Sequence, residues 1–410
     1  MNLRQLKSGT YIIGVSGGAD SMALLSMCLD AKYDLVVAHV NYHRRESADR
    51  DENIVKDYCL TNKIPFHLLE PVQESKGNFQ DWARKVRFSF FRELYHSYQA
   101  EGLLLAHHQD DLLETYLIQL ERNAKVDYYG IAEETTIDEM KVYRLLLSYT
   151  KQELLEYVEN NSVTYGFDES NLSDVYLRNR IRHQQIDNMP LTRRMELLAE
   201  ICERNLNLAN YQQKLNDVVA SLMVNWSKRE FIKLDEELRK DALRLYLSEH
   251  NVDVSSYSDS YMGHLVKCCL SSKCCREQLN EDTILDQCYG EVKIHMRNKP
   301  YQYELSDKIE METPFFRVST NIGTSVEAVY VETSDFPLTI RSPIPDDAIV
   351  LRFGTKKVSR WFIDRKIPLW ERDLWPIVIN ARGEVILVPK IGCNVEHYNV
   401  KPNLFVIKCS

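Results

Sequence analysis

A chain of 410 residues with 44% hydrophobic content can bury two or three cores rather than one. No apolar stretch approaches the roughly 18–20 residues a membrane helix needs, and Met1-Asn2-Leu3-Arg4 opens no signal peptide. A soluble, cytoplasmic protein with no membrane partner and ten reduced cysteines is expected, and the net charge of -9 excludes a uniformly basic nucleic-acid coat.

The first strand, Tyr11–Val15, runs into Ser16-Gly17-Gly18-Ala19-Asp20-Ser21. Ala19–Ala31 then reads as a helix, with Met22, Leu25 and Leu29 at helical spacing. A tight Gly-Gly turn at a helix N-terminus aims unpaired N–H groups and the positive end of the dipole at one spot. An anion belongs there, and a phosphate fits best. Asp20 would repel a phosphate unless a cation lies between them, so it reads as a Mg²⁺ ligand. No Gly-Lys-Ser/Thr follows, which excludes the Walker type of loop.

Strands at Asp34–Asn41, Phe66–Pro71 and Leu103–His107 alternate with helices at Ala48–Asn62, Phe79–Ser97 and Asp110–Arg122. This α/β pattern predicts a doubly wound parallel sheet with ligands at the carboxyl ends of its strands. A fifth strand at Val142–Leu147 and a helix at Lys151–Glu159 follow. From Arg193 to Trp226, and again over Phe231–Ser248, apolar residues recur at helical spacing. β-formers return near Lys308, with Pro337–Ser342, Ala348–Phe353 and a hairpin over Ile377–Val388. The expected organisation is therefore a catalytic domain over 1–190, a mostly helical domain over 191–307 and a small α+β domain over 308–410.

Several segments carry candidate chemistry. Asn78, with Asp81 three residues on, marks the start of the helix over Phe79–Ser97, which bears Trp82, Val86 and Phe90 as its buried stripe. Arg84 and Arg87 then lie on its polar face, where an arginine could neutralise a triphosphate. His107, Asp111 and Glu114 stand at i, i+4 and i+7, so one helix face should carry all three, with Leu113, Leu117 and Leu120 opposite. Such a trio can hold Mg²⁺, bind a cationic substrate or act as a general base. Arg178 and Arg182 share a helix face and form a fork suited to phosphate. Residues 178–194 hold five arginines against Asp187, a local charge of +4, and residues 352–372 hold seven Lys/Arg against two acids, or +5. Two basic patches on an acidic protein suit an RNA held at defined points. The cysteines at 268, 269, 274, 275 and 288 make a poor zinc site, because the C-x5-C spacing has no paired histidine.

SGGADS, His-Val-Asn-Tyr at 39–42, ARKVRF, AHHQDDLLET, DESN and RNRIR, together with Ile367-Pro368-Leu369-Trp370-Glu371-Arg372-Asp373-Leu374-Trp375-Pro376, resemble the tRNA(Ile)-lysidine synthetases of the ATP pyrophosphatase superfamily. The resemblance implies adenylation, by ATP, of C2 oxygen on the wobble cytidine of an isoleucine tRNA with a CAU anticodon. The amine of free L-lysine then displaces AMP. It implies ATP contacts at Ser16, Gly17, Gly18, Ala19, Asp20, Ser21 and His39, and catalytic positions at Asp20, Arg87, His107, Asp111 and Glu114. It further implies Mg²⁺ at Asp20 and Asp111, tRNA or substrate contacts at Asn171, Arg178 and Arg182, and leaves a homodimer open. The sequence departs from the family at Glu121-Arg122-Asn123-Ala124-Lys125, where an Arg-Gly-Ser-Gly turn is usual, and at Arg144, where a proline commonly precedes the leucine pair. A thiolating relative would need cysteines near the loop, and the first 190 residues hold no CxxC. An inert tRNA-binding relative would not need Asp20, Asp111 and Glu114 together.

Overall fold

A strand is buried on both faces only where helices cover both sides of its sheet. Strand β1 (Thr10–Gly14) meets that condition, with Tyr11 and Ile13 in one core and Ile12 in another. The computed structural model describes residues 3–44, 47–72, 78–166, 180–352 and 354–409, in two units, Met1–Tyr211 and Gln212–Ser410. Among the described residues, no helix is long and apolar enough to cross a membrane.

In the first unit, β1 is joined by β2 (Asp34–Val40), β3 (Phe66–Leu69), β4 (Gly102–Leu104), β5 (Glu134–Ile137) and β6 (Met140–Tyr143). The strand order is β3-β2-β1-β4-β6-β5, parallel except for the edge strand β5, which pairs antiparallel with β6. The expected doubly wound sheet is present. Its helices are α1 (Ala19–Asp30), α2 (Ala48–Asn62), α3 (Phe79–Ser97), α4 (Gln109–Glu121) and α5 (Lys151–Asn160). Helices α1, α2 and α5 cover the Tyr11/Ile13 face, and α3 covers Ile12 with Phe88, Phe91 and Leu94. The chain leaves β1 toward β2 on one side and later returns to β4 on the other. That reversal opens a crevice beyond the carboxyl ends of β1 and β4.

Three local expectations are corrected. The fifth strand is the second arm of a hairpin, β5–β6, and ends at Tyr143 rather than Leu147. The buried residues of α3 are Ala83, Phe88, Phe91 and Leu94, while Trp82, Val86 and Phe90 are half-buried, so the helix is rotated by about one residue from the expected stripe. On α4, Leu113 is fully buried but Leu120 is exposed.

The second unit contains helices Glu236–Glu249 and Asp259–Cys269, then an antiparallel sheet of β7 (Cys275–Gln278), β8 (Thr283–Cys288) and β9 (Glu291–Met296). This sheet lies in the stretch expected to be mostly helical. Its turns explain it. Asn280 Oδ1 accepts from the N–H groups of Asp282 and Thr283 between β7 and β8. Tyr289 and Gly290 both have positive φ between β8 and β9, the requirement of a two-residue I′ hairpin. Folding back β7 and β8 joins Cys268 to Cys275 and Cys274 to Cys288 as disulfides, where reduced thiols were expected. Farther on, Gln302–Leu305, Leu338–Arg341, Ile377–Ile379, Val385–Val388, Ala348–Leu351 and Gly354–Lys357 line up in that order in one sheet. Leu338, Ile340, Val378 and Leu387 bury its inner face.

Asp286 on β8 is fully buried and accepts from Arg276 Nε and Nη2, each at 2.7 Å, and from His295 Nε2 at 3.0 Å. Burial by itself would raise its pKa, but the bonds from Arg276 and His295 outweigh that and hold it below the usual carboxylate range. Arg276→Leu removes both guanidinium bonds from a buried carboxylate and should cost about 3 kcal/mol. The urea midpoint of the second unit, followed by circular dichroism, should fall accordingly, and adding Asp286→Asn should recover part of the loss.

Candidate active site

The Ser16–Ser21 loop is built by its own hydroxyls and by two neighbours. Ser16 N–H donates to Ser21 Oγ at 3.2 Å, and Ser21 Oγ–H donates to the Gly18 carbonyl at 2.9 Å. Gly17 has φ +90°, and a Cβ there would lie 2.9 Å from the Asp51 carbonyl oxygen, so glycine is required twice over. Gly166 N–H donates to the Gly17 carbonyl at 2.8 Å and braces the turn. Gly18 caps α1 without a side chain, so the first N–H groups of the helix remain for a ligand.

Beyond β4, Leu105, Ala106 and His107 precede the N-cap of α4. His108, not His107, is the N-cap: Asp110 N–H donates to His108 Nδ1 at 3.3 Å, and His108 N–H donates to Asp111 Oδ2 at 3.0 Å. With Nδ1 accepting, the neutral ring carries its proton on Nε2, which faces Asp111 at 3.6 Å and Asp20 at 3.8 Å. His107 therefore precedes the helix and does not share its face with Asp111 and Glu114. The carboxylates of α4 are met by arginines. Arg182, at the start of a π-helical turn over Arg182–Ile186, donates through Nη2 to Asp111 at 3.0 Å and through Nε to fully buried Glu114. Arg194 donates to Asp110 and to Gln109. Asp20 receives Lys151 Nζ at 2.6 and 2.7 Å.

A cleft of about 380 Å³ opens beside the loop, lined by Ser16, Ser21, Tyr42, Arg84, Arg87 and His107 among others. A second, of about 300 Å³, is lined by Ser16, His39 and Asp51. His39 is buried with Nδ1 2.8 Å from the Val15 carbonyl oxygen, and burial lowers its pKa, so the ring is neutral and donates that bond at pH 7. The surrounding protein desolvates the Arg87 guanidinium and lowers its pKa, with Arg84 adding to the effect. Among the described residues no carboxylate pairs with Arg87. An anion entering this cleft therefore meets a guanidinium that no described carboxylate competes for.

Of the residues singled out from sequence, Ser16, Gly17, Gly18, Ala19, Asp20, Ser21, His39, Arg87 and His107 surround the crevice. Asp111, Glu114 and Arg182 form one cluster at its edge. Asn171 and Arg178 lie outside the described residues. Two readings change. The 178–194 stretch is not an open basic patch, since Arg180, Arg182, Arg193 and Arg194 face Glu121, Asp111 and Glu114, Glu196, and Asp110. For the same reason Asp111 and Glu114 do not form an open acidic pocket. Lys151, His108, Asp110 and Arg194 were missed. Thr150-x-x-Glu153 did announce the helix that carries Lys151, and Thr150 caps it through Glu153 N–H at 3.2 Å. Neither cleft is lined by cysteine, and burial pushes the Cys59 thiol up to about 12, which disfavours a nucleophilic thiolate.

A family profile described as a PP-loop domain matches residues 2–189, and one described as the TilS substrate C-terminal domain matches residues 338–403. Curated relatives include the tRNA(Ile)-lysidine synthase of Mycoplasma mycoides, 30% identical over 93% of this chain and 96% of that protein. Those of Exiguobacterium sibiricum (31%, covering 92% of each chain) and Bacillus subtilis (30%, covering 97% and 93%) are similar to the same extent.

Arg182 and Glu114 should behave as an energetic unit. Arg182→Met and Glu114→Gln should each destabilise the protein, Arg182→Met by about 3 kcal/mol. Combined in a double-mutant cycle read by thermal denaturation, they should show a coupling above about 1 kcal/mol. Simple additivity would sink the pairing.

Proposed function

This chain belongs to the tRNA(Ile)-lysidine synthase family, and on that premise we propose how its residues divide the work of an ATP-dependent ligase that forms lysidine on tRNA(Ile). The observation that carries the proposal is the uncapped α1 N-terminus at the β1/β4 reversal, facing a cleft that holds Arg87. The N–H groups at the start of α1 receive the β- and γ-phosphates, and the Ser16 hydroxyl adds a donor while Ser21 braces the turn. Arg87 faces the α-phosphate, where charge builds as the cytidine C2 oxygen attacks phosphorus and pyrophosphate leaves. The adenylated cytidine is then attacked at C2 by the lysine amine. The C2–O bond breaks, AMP departs, and the amine gives up a proton.

Magnesium fits the donor set at Asp20. A Mg²⁺ ion asks for only one or two carboxylates when a triphosphate supplies further oxygens, and Asp20 and Asp111 both approach His108 Nε2 within 4 Å. When bound, the ion offsets phosphate charge. Lys151 holds Asp20 through a half-buried, flexible arm, so a divalent cation can take its place and free the ammonium for phosphate oxygens. His39 fixes the end of β1 through Val15 and shapes the nucleotide side of the crevice. Glu114 is fully buried on Arg182 and acts as a positioning residue. His107 lines the cleft, which supports assigning it as the base that takes the proton from lysine. We assign 1–190 to catalysis, and 191–307 and 308–410 to tRNA binding, with Asn171, Arg178 and the basic stretch 352–372 as RNA or substrate contacts.

The test supplies Mg²⁺-ATP, lysine and a CAU-anticodon isoleucine tRNA transcript, and reads nucleosides by mass spectrometry. A lysine-sized gain on cytidine is expected; sulfur transfer in its place would overturn the reading. Asp20→Ala should reduce tRNA-dependent pyrophosphate release by at least about a hundredfold. His107→Gln should leave pyrophosphate release near the wild-type rate while slowing lysidine formation by about 10²-fold or more, so that adenylated tRNA accumulates. Equal loss of both steps would remove His107 from the proton-transfer role.

A further inference from the structure

The cysteines of the second unit take no part in the chemistry above, yet they gather more than each other. Helix Asp259–Cys269 carries His264 and Cys268 one turn apart, hence on one face. Strand β7 carries Cys275 and Glu277 two residues apart, hence also on one face, with Arg276 turned the other way to hold Asp286. These two faces meet. The sulfurs of Cys268 and Cys275 and a carboxylate oxygen of Glu277 all lie within 4.8 Å of one another. His264 Nε2 stands 2.9 Å from Glu277 Oε1. Cys268 is buried, and Cys275 and Glu277 are half-buried.

We propose that, once the Cys268–Cys275 bond is reduced, His264, Cys268, Cys275 and Glu277 form a zinc site. The disulfide accounts for two of these four groups only. The Glu277 carboxylate converges on the two sulfurs, and the His264 imidazole, bonded to that carboxylate and one turn from Cys268, is the fourth donor within reach, so the set offers the N, O and S donors that a four-coordinate zinc ion takes. Two donors come from one helical turn and two from one strand face, so the ion would staple the helix to the sheet, as the disulfide does. The neighbouring cysteines are accounted for elsewhere. Cys274 is joined to Cys288, and Cys269 is fully buried. The chemistry balances with a dithiol as reductant. The S–S bond takes up two electrons and two protons, the dithiol becomes a disulfide, and zinc then displaces the two thiol protons. A histidine one turn before the first cysteine replaces the paired histidine that the C-x5-C reading lacked.

The full-length protein is reduced with dithiothreitol, desalted without oxygen, incubated with zinc chloride or cobalt chloride, and desalted again. Elemental analysis should find about one zinc per chain, and the cobalt form should show a thiolate-to-cobalt charge-transfer band with intense tetrahedral bands. Reoxidation should abolish both. Cys268→Ser and Glu277→Gln should lose the metal or weaken the cobalt spectrum, while Cys274→Ser should retain it. The wild-type spectrum decides the matter even where a variant fails to fold: reduced protein that holds less than a tenth of an equivalent, or shows no thiolate band with cobalt, overturns the site. So does full metal retention by folded Cys268→Ser.

Discussion

Four carboxylates crowd the place where β1 and β4 end: Asp20, Asp110, Asp111 and Glu114. Like charges a few ångströms apart in a partly desolvated crevice repel by several kcal/mol, so such a cluster persists only with cations among it. Each cation comes from a different later segment, Lys151 from the start of α5, Arg182 from the π-helical turn, and Arg194 from helix Leu191–Val224. The crevice therefore depends on later segments of chain, at Lys151, Arg182 and Arg194, that lie outside the six strands of the sheet. Apolar packing follows the same path. Ile181, Ile186, Leu197 and Ile201 close on Leu112, Leu113 and Tyr116 of α4, and Asn205 exchanges two hydrogen bonds with the backbone of Tyr129. The first unit accordingly extends to Tyr211.

Neutralising the acids also sets the polarity of the cleft. With Asp111 and Glu114 occupied by Arg182, the open surface beside the loop is left to the N-terminal N–H groups of α1 and to Arg84 and Arg87. Negative charge is held behind and positive charge in front. A triphosphate entering along this path meets donors that are already fixed, because the loop hydroxyls, Gly166 and Asp51 leave the turn little freedom.

Much of this was legible in the chain, because local pattern and tertiary fold agree in the first unit. The limits of α2 and α3 follow from periodicity and from the Asn78 cap, whose Oδ1 accepts from Gln80 N–H at 3.0 Å. The loop was readable because its glycines and serines have no second use. What escaped was long-range or masked by polarity. Nothing near Asp111 announces Arg182, seventy-one positions away. His107 was grouped with Asp111 and Glu114 by helical spacing alone, whereas Leu105, Ala106 and His107 lie between β4 and the His108 cap. In β7–β9 the usual alternation is hidden because Asp286 and Gln287 are buried as thoroughly as Leu285. A buried carboxylate looks like a solvated one until its arginine is found.

The ion pairs of the crevice also differ in how firmly they are held, and that ranking orders their roles. Glu114 is fully buried and Asp110 nearly so, each bound by an arginine whose planar fork is poorly suited to exchange. Taking either partner away strands a charge in low dielectric, so these pairs act as framework. Asp20 and Lys151 are more open, with side-chain exposures of 28% and 39%, and the ammonium is a point charge on a flexible stem. A half-open pair of this kind is less costly to part than the buried ones, so a nucleotide can rearrange this one without disturbing the rest. The same cluster can thus be rigid where it shapes the site and yielding where substrate must enter.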